Sequence, residues 1–214
     1  MSGRRVPRVT GGIAALAVVV AVCTSAGVDT SGAVEPRGDV VGRGDKYEAR
    51  IRRTEGGVPH ISGGSMADVA FGQGWASGED RTCDLADQVV KIRGERAQLL
   101  GPGENDANID SDVTWRHIGI FERASADFED ASPTAVDLLA AFTDGWNAHL
   151  DEVGVDGLAG WCAGQPWVRP LEPVEVYAYA RSIALAASSG AVTNFIATAQ
   201  PPAPAPPAPG AAAA

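Results

Sequence analysis

Histidine, cysteine and serine are among the residue types in this chain that could bind a metal or act as a nucleophile, and their spacing decides what they can do. His60, His117 and His149 are scattered, and no His-x3-His or Cys-x2-Cys spacing supports a zinc site. The sequence has no Gly-x-Ser-x-Gly elbow and no phosphate-binding loop. Taken alone, these residues predict no catalytic constellation. We expect His149 to be a packing or surface residue and His60 to bond to the backbone of a turn.

Acidic residues outnumber basic ones, and the formal net charge is −10. That sign argues against a nucleic-acid-binding protein, which would need basic patches to neutralise phosphates. Asp80, Asp84 and Asp87 lie on a predicted helix, where they could pair with Arg81 or Lys91 on a solvated face. The acids of residues 101–112 lack the spacing of a calcium-binding loop, so this stretch is interpreted as a polar surface loop.

The N-terminus has the pattern of a targeting segment. A basic start precedes an apolar run at residues 13–22, and small residues favour cleavage after Ala26. The run is shorter than the about 20 residues needed to span a bilayer, so residues 1–26 are predicted to be a secretory signal peptide. A twin-arginine export route and lipidation at Cys23 both stay open. The predicted location is secreted or extracytoplasmic, with no integral membrane segment after cleavage.

Two cysteines, Cys83 and Cys162, remain after cleavage of the predicted signal peptide. An exported protein folds in an oxidising compartment, where two cysteines favour one disulfide. A bridge closing so long a loop would stabilise the fold by about 3–5 kcal/mol on the chain-entropy model. The other interpretation is two separate buried thiols.

The first elements of the fold are predicted to be short strands. Hydrophobicity alternates over residues 47–53, with Ala49 and Ile51 on the buried face, which is typical of a half-buried strand. A Gly-Gly turn follows, and residues 58–61 are expected to continue as a second short strand. Residues 27–45 are rich in Gly, Asp and Ser and are predicted to form a disordered leader.

Three long helices are predicted to supply most of the fold. The first begins at Ser65 as N-cap and ends or bends at Gly94. Its glycines recur at helical spacing, which costs about 1 kcal/mol each against alanine and indicates that another backbone approaches this face closely. Ser132-Pro133 opens the second helix. Glu172-Pro173 opens the third, which we expect to run from 174 to about 198.

The chain therefore divides into four predicted segments. These are the signal peptide at 1–26, the disordered leader at 27–45, a globular domain at 46–200, and a Pro/Ala-rich spacer or linker at 201–214. The length of 214 residues is sufficient for one domain with a real hydrophobic core.

Several short segments, each weak alone, together resemble a known family when they are read in order. They lie at residues 52–61, 72–80, 83–96, 142–150, 162–170, 187–191 and 199–202. In this order they resemble the penicillin-acylase family of N-terminal nucleophile hydrolases. The later segments are most similar to the aculeacin-type and acyl-homoserine-lactone acylases of that family.

This resemblance implies a fold, a partner and a reaction. The fold is α+β and mostly helical, namely the α-chain portion of an αββα enzyme with one edge strand or hairpin. Family members are cut into an α chain, a spacer and a β chain, and the β chain begins with a serine whose own amine acts as base for its hydroxyl. The substrate is an amide that joins an acyl chain to an amine. The sequence as given contains no β chain, so we expect no turnover from it alone.

The resemblance also implies substrate-binding residues. The family places one wall of the acyl pocket on the third helix, and Ala184, Ala187, Ser188 and Ser189 lie at and beside those positions. Small side chains leave a deep slot, and each buried methylene contributes about 0.8 kcal/mol, which favours medium or long fatty acyl groups over phenylacetyl. The other interpretation is that these residues only allow close helix packing.

No cofactor is expected from the resemblance. Penicillin acylase binds a structural calcium through an acidic residue late in the third helix, but Asn194 falls near that position here. The amide side chain argues against calcium.

Two functional hypotheses follow from these observations. The first is the α-chain fragment of a secreted amidohydrolase that cleaves an N-acyl amide, such as a lipopeptide, an acyl-homoserine lactone or a penicillin side chain. The alternative is a non-catalytic secreted fragment that binds acyl chains or a protein, or the product of a decayed, truncated gene. A downstream reading frame starting near Gly-Ser-Asn would favour the first.

Overall fold

A computed structural model describes residues 40–43, 46–188 and 190–200 of the chain. Strands β1, β2 and β3 span Val40–Arg43, Glu48–Arg53 and Pro59–Gly63. Helices α1 to α6 span Met66–Arg93, Arg96–Leu100, Ala107–Ile118, Ile120–Phe128, Pro133–Val153 and Pro173–Ala186. Short 3-10 helices lie at Glu104–Asp106, Val155–Gly157 and Gly190–Phe195. The predicted mostly helical α+β class is confirmed, while the predicted signal peptide and spacer lie outside the described residues.

The three strands form an antiparallel sheet in the order β1-β2-β3. Ile51 pairs with Ile61 across the predicted hairpin, and burial alternates along β2 as its sequence predicts. Ala49 and Ile51 are buried and pack with Phe71 of α1. The sheet therefore buries one face against the start of the longest helix.

Strand β1 corrects the prediction of a disordered leader at 27–45 for residues 40–43 alone, since residues 27–39 and 44–45 lie outside the described residues. Val40–Arg43 pair with β2, and Val41 lies opposite Arg50. The neighbouring strand supplies the hydrogen-bonding partners for this backbone, and a composition rich in Gly and Asp gives no sign of that non-local pairing.

Helix α1 begins and ends at the predicted caps. Ser65 Oγ accepts a hydrogen bond from the Asp68 backbone N–H at 3.1 Å, which satisfies one of the free donors of the first turn. Gly94 ends the helix in the left-handed conformation, with φ of 66°, where glycine carries no Cβ penalty. The helix is kinked at Arg81, beside Thr82, whose hydroxyl donates to the Gly78 carbonyl.

The predicted close backbone approach occurs where α1 crosses α5. A Cβ placed on Gly74 would lie 1.9 Å from the Phe142 carbonyl oxygen, and one placed on Gly145 would lie 1.9 Å from the Phe71 carbonyl oxygen. Each glycine thus leaves room for the backbone of the other helix. Only hydrogen fits at either position, which explains why a long helix carries residues of poor helical propensity.

The core beside this crossing contains the predicted disulfide. The Sγ atoms of Cys83 and Cys162 are 2.09 Å apart, and both cysteines lie in a buried cluster with Trp146, Leu150 and Trp167. The bridge joins the middle of α1 to the loop that precedes α6. The alternative of two separate thiols is wrong in this structure.

The acidic side chains on α1 pair differently from the prediction. Arg81 and Asp84 form the expected exposed pair at 3.5 Å. Asp80, however, binds Arg53 of β2 at 2.9 Å, and Asp87 accepts from Arg96 Nε at 2.9 Å. These two acids tie α1 to neighbouring segments, so a wholly solvated face is the wrong description.

Residues 101–112 are not a polar loop throughout, because α3 begins within them at Ala107. Asp112 is buried and accepts hydrogen bonds from the backbone N–H groups of Arg96 and Ala97 at 2.9 and 2.8 Å. Its carboxylate caps the start of α2. An acid that looks solvated in sequence thus has a structural role that depends on residues distant along the chain.

Helix α6 is shorter than the predicted 174–198 and ends at Ala186. The next turn tightens, with Ser188 N–H donating to the Leu185 carbonyl at 3.0 Å and Ser188 Oγ donating to the same carbonyl at 3.1 Å. Serine hydroxyls compete for backbone groups, and Gly190 has poor helical propensity. A 3-10 helix, Gly190–Phe195, follows instead.

Candidate substrate-binding face of helix α6

The N-terminus of α6 is fixed by a buried carboxylate. Glu175 is fully buried, and its side chain forms a capping box with Glu172, whose backbone N–H donates to Oε2 at 2.9 Å. Arg169 binds both carboxylate oxygens, at 2.6 and 3.1 Å, and Arg93 of α1 binds Oε1 at 3.3 Å. Buried charge is stable only when it is paired in this way.

The hydrogen bonds with Glu175 also change the pKa of Arg169. Hydrogen bonding to Glu175 raises the pKa of Arg169 above its ordinary value, although partial burial opposes the change. The guanidinium therefore stays charged, and the bidentate geometry fixes the direction in which the chain enters α6.

A second clamp holds the segment before α6 against α5. The Asn147 side chain donates to the Leu171 carbonyl at 2.9 Å and accepts from the Leu171 N–H at 2.7 Å. These contacts fix the N-terminal end of α6 against α1 and α5, and further along the helix Arg181 pairs with Asp127 of α4.

The C-terminal end of α6 carries the predicted substrate-binding residues. Ala184 lies in the last turn, Ala187 follows as the C-cap residue, and Ser188 comes next. All three are exposed. Ser189 lies outside the described residues. At spacings of three and four these residues share one side of the helix end, so the structure brings the described three together on an open face.

An apolar groove runs along the adjoining side of the same helix. It has a volume of about 380 Å³. Its lining comes from α1, α3, α6 and the following 3-10 helix, and includes Lys91, Trp115, Tyr179, Ile183 and Ala186. Ala184, Ala187 and Ser188 are not among its lining residues.

Among the histidines considered above, His149 has a structural role. His149 packs edge-on against Trp75, with ring centroids 5.5 Å apart, and burial lowers its pKa. The predicted packing role is confirmed. Within the described ranges, no group of three or more His, Cys, Asp or Glu residues is arranged to hold a metal ion. The backbone of Asn194 lies in the last 3-10 helix, but its side chain is outside the description.

Among the helices that the structure describes, none combines the length and apolarity needed to cross a bilayer.

Sequence reasoning missed two features of α6. Glu172 and Glu175 have the spacing of a capping box, which could have identified the buried carboxylate. Tyr179, Ser182, Ile183 and Ala186 recur at intervals of three and four, which could have identified the face that lines the groove. The partners on α1 and α3 are too distant in sequence to be predicted from the chain alone.

The sequence matches the penicillin amidase family model over residues 48–211. The acyl-homoserine lactone acylase PvdQ of Pseudomonas savastanoi pv. phaseolicola is 35% identical over 159 residues, which is 72% of this chain and 20% of that protein. Aculeacin-A acylase of Actinoplanes utahensis is 33% identical over 164 residues, 73% of this chain and 21% of that protein.

A solved structure is also similar. The thermostable penicillin G acylase from Alcaligenes faecalis superposes with a TM-score of 0.55 and 25% identity, covering 66% of this chain and 74% of that one. The chain spans only about one fifth of the length of the curated relatives named above. The family match nevertheless extends from β2 to beyond α6. The chain belongs to the penicillin amidase family.

Proposed function

We propose that this chain is the α-chain part of a secreted amidohydrolase that cleaves N-acyl amide bonds. A β chain with an N-terminal serine supplies the nucleophile, and this chain alone is inactive. The observation that carries the proposal is the family match over residues 48–211, together with relatives that are acyl-homoserine lactone and aculeacin-A acylases. The substrate class is a fatty N-acyl amide, in an acylated lactone or a lipopeptide.

In this proposal, the C-terminal end of α6 forms one wall of the acyl pocket. Ala184, Ala187 and Ser188 are small and exposed, so their face is uncovered where a second chain would complete the pocket. Exposure favours this role over close helix packing within the chain. Small side chains leave depth for an acyl chain, and each buried methylene adds about 0.8 kcal/mol to binding.

A chimeric enzyme tests the proposal. Residues 46–200 replace the matching segment of aculeacin-A acylase, and fatty acid release is assayed on acyl-homoserine lactones from butanoyl to dodecanoyl. We expect release to increase with acyl length, whereas the 214-residue chain alone gives none. A folded, processed chimera that releases no fatty acid from any of these substrates would contradict the proposal.

A substitution in the wall tests the predicted residues separately. Ala184→Phe in the chimera should reduce dodecanoyl release by about tenfold or more, since a bulky ring removes room for several methylenes, and should spare butanoyl release. Ala126→Phe, at an exposed position on α4, is the matched control and should change neither. Equal effects of both substitutions on dodecanoyl release would show that Ala184 does not line the acyl pocket.

A further inference from the structure

The apolar groove beside α6 is built for a ligand with a long apolar part. Its volume of about 380 Å³ falls within the range of pockets that hold small molecules. Trp115 and Tyr179 supply aromatic surface, and Ile183, Leu185 and Ala186 supply aliphatic surface. Ile183 is more than half exposed, so an apolar ligand would remove this side chain from water.

One ammonium group lies in this apolar surrounding. Lys91 is half-buried, and its Nζ lies 4.9 Å from the centre of the Trp115 ring and donates to Gln88 Oε1 at 3.2 Å. Burial, followed by repulsion from Arg96, lowers the pKa of Lys91. Burial removes water from the ammonium group, and Arg96 adds like-charge repulsion, so both disfavour its charged form.

The neighbouring polar groups already have partners. Ser182 Oγ and Thr193 Oγ1 donate to backbone carbonyls at 2.6 and 2.7 Å. Asp87, whose negative charge acts to raise the pKa of Lys91, is bound to Arg96. Across the part of the chain that the structure describes, no carboxylate forms an ion pair with Lys91. The groove therefore offers one cation that has no ion-pair partner among the described residues, surrounded by a mostly apolar lining.

We infer that this groove binds a fatty carboxylate, with the carboxyl group paired to Lys91 and the alkyl chain along α6. A carboxylate supplies the missing counter-charge, and a half-buried ion pair gains from partial exclusion of water. The site is on a different side of α6 from the predicted acyl wall and requires no turnover. Hydrolysis of an N-acyl amide releases this class of molecule, so the groove would retain a product on the α chain.

Calorimetric titration of the full 214-residue chain with decanoate and with decanol tests the inference. Decanoate should bind at least tenfold more tightly than decanol, and up to roughly tenfold more tightly than octanoate, since two further methylenes are buried. Lys91→Met keeps the apolar stem and should bring decanoate down to the affinity of decanol. Lys46→Met is the control, because Lys46 also lies 5.0 Å from an aromatic ring but is outside the groove, and it should change nothing.

A second variant fills the groove instead of removing its charge. Ala186 is exposed, so Ala186→Trp leaves the core intact and should abolish binding of both decanoate and decanol. Circular dichroism of each variant confirms the fold. Equal binding of decanoate by wild type and Lys91→Met, unchanged binding by Ala186→Trp, or no binding by folded wild type would each overturn the inference. Because no hydrolysis is measured, these outcomes are independent of the acylase proposal.

Discussion

The crossing of α1 with α5 and the C-terminal end of α6 differ in how much of their apolar surface is buried by other described residues. At the crossing, Gly74 and Gly145 bring two backbones into contact, and Trp146 is fully buried. At the end of α6, Ile183 and Phe195 are more than half exposed. The first region satisfies its packing within the described residues, whereas the second presents apolar surface outward.

This difference shows where the chain's stability is located. Buried apolar area and close backbone contact stabilise the crossing, because each methylene removed from water contributes about 0.8 kcal/mol. Helix α6 is anchored by Glu175 at its N-terminus and by α4, where Asp127 pairs with Arg181 and Phe128 contacts Tyr177. Substitutions in the two regions should therefore differ strongly in their effect on the free energy of unfolding.

The largest effect is expected at the crossing. Gly74→Leu would place a side chain where a Cβ is already 1.9 Å from the Phe142 carbonyl oxygen, so the helices must separate. We expect a loss of more than about 4 kcal/mol, which prevents folding or lowers the urea midpoint severely. Gly56→Ala is the control, since no atom lies within 4 Å of its new Cβ. Similar midpoints for both variants would show that the helices do not meet as described.

The disulfide should come next. Replacing Cys83 and Cys162 together by alanine frees two residues that are 79 positions apart in the chain. On the chain-entropy model the loss is about 4 kcal/mol, with a measured range that extends lower. Urea unfolding with and without reductant measures it. Reductant should destabilise the wild type and leave the double variant unchanged, and a wild type insensitive to reductant would speak against the bridge.

A smaller effect is expected at Glu175, which ties the N-terminus of α6 to Arg93 of α1. Glu175→Gln removes the buried charge that joins Arg93, Arg169 and the start of α6, and should cost about 2 kcal/mol. The loss is limited because Arg169 is 46% exposed and can return to water. Glu104→Gln, at an exposed position, should be neutral. If Glu175→Gln and Glu104→Gln have the same urea midpoint, the contacts of the Glu175 carboxylate contribute no stability.

The smallest effect is expected at the end of α6. Ile183→Ser removes an apolar side chain that is 56% exposed, and should change stability by less than about 0.5 kcal/mol. Ile92→Ser is the matched comparison, because Ile92 is 1% exposed and should lose about 3 kcal/mol or more. Thermal unfolding of both variants measures the contrast, and a large loss at Ile183 would place it in the core.

The sequence predicted the features that depend on neighbouring residues. Ser65 and Gly94 cap α1 because cap geometry is a local property. The glycines of α1 correctly indicated a close approach, although their partner on α5 could not be named. Asp112 was misjudged because its partners lie 15 to 16 positions away. Glu175 has a local signal in its capping box with Glu172, but its pairing with Arg93 spans 82 positions.

The candidate site was less predictable than the fold. The resemblance gave Ala184, Ala187, Ser188 and Ser189, and three of them share an exposed face. Their contact with an acyl chain stays a prediction, because it depends on surfaces that the described residues do not include. The groove at Lys91 required the placement of α1 and α3 against α6, which is a property of the tertiary structure.

The bridge between Cys83 and Cys162 has a topological consequence. It closes a covalent ring that contains the exposed stretch 102–107, and exposed segments of this kind are accessible to proteases. A single cut in that stretch would break the backbone without releasing a fragment, and the nicked molecule would keep its mass on a gel until a reductant is added. The ring thus protects the covalent integrity of the chain against a single cut in this exposed stretch.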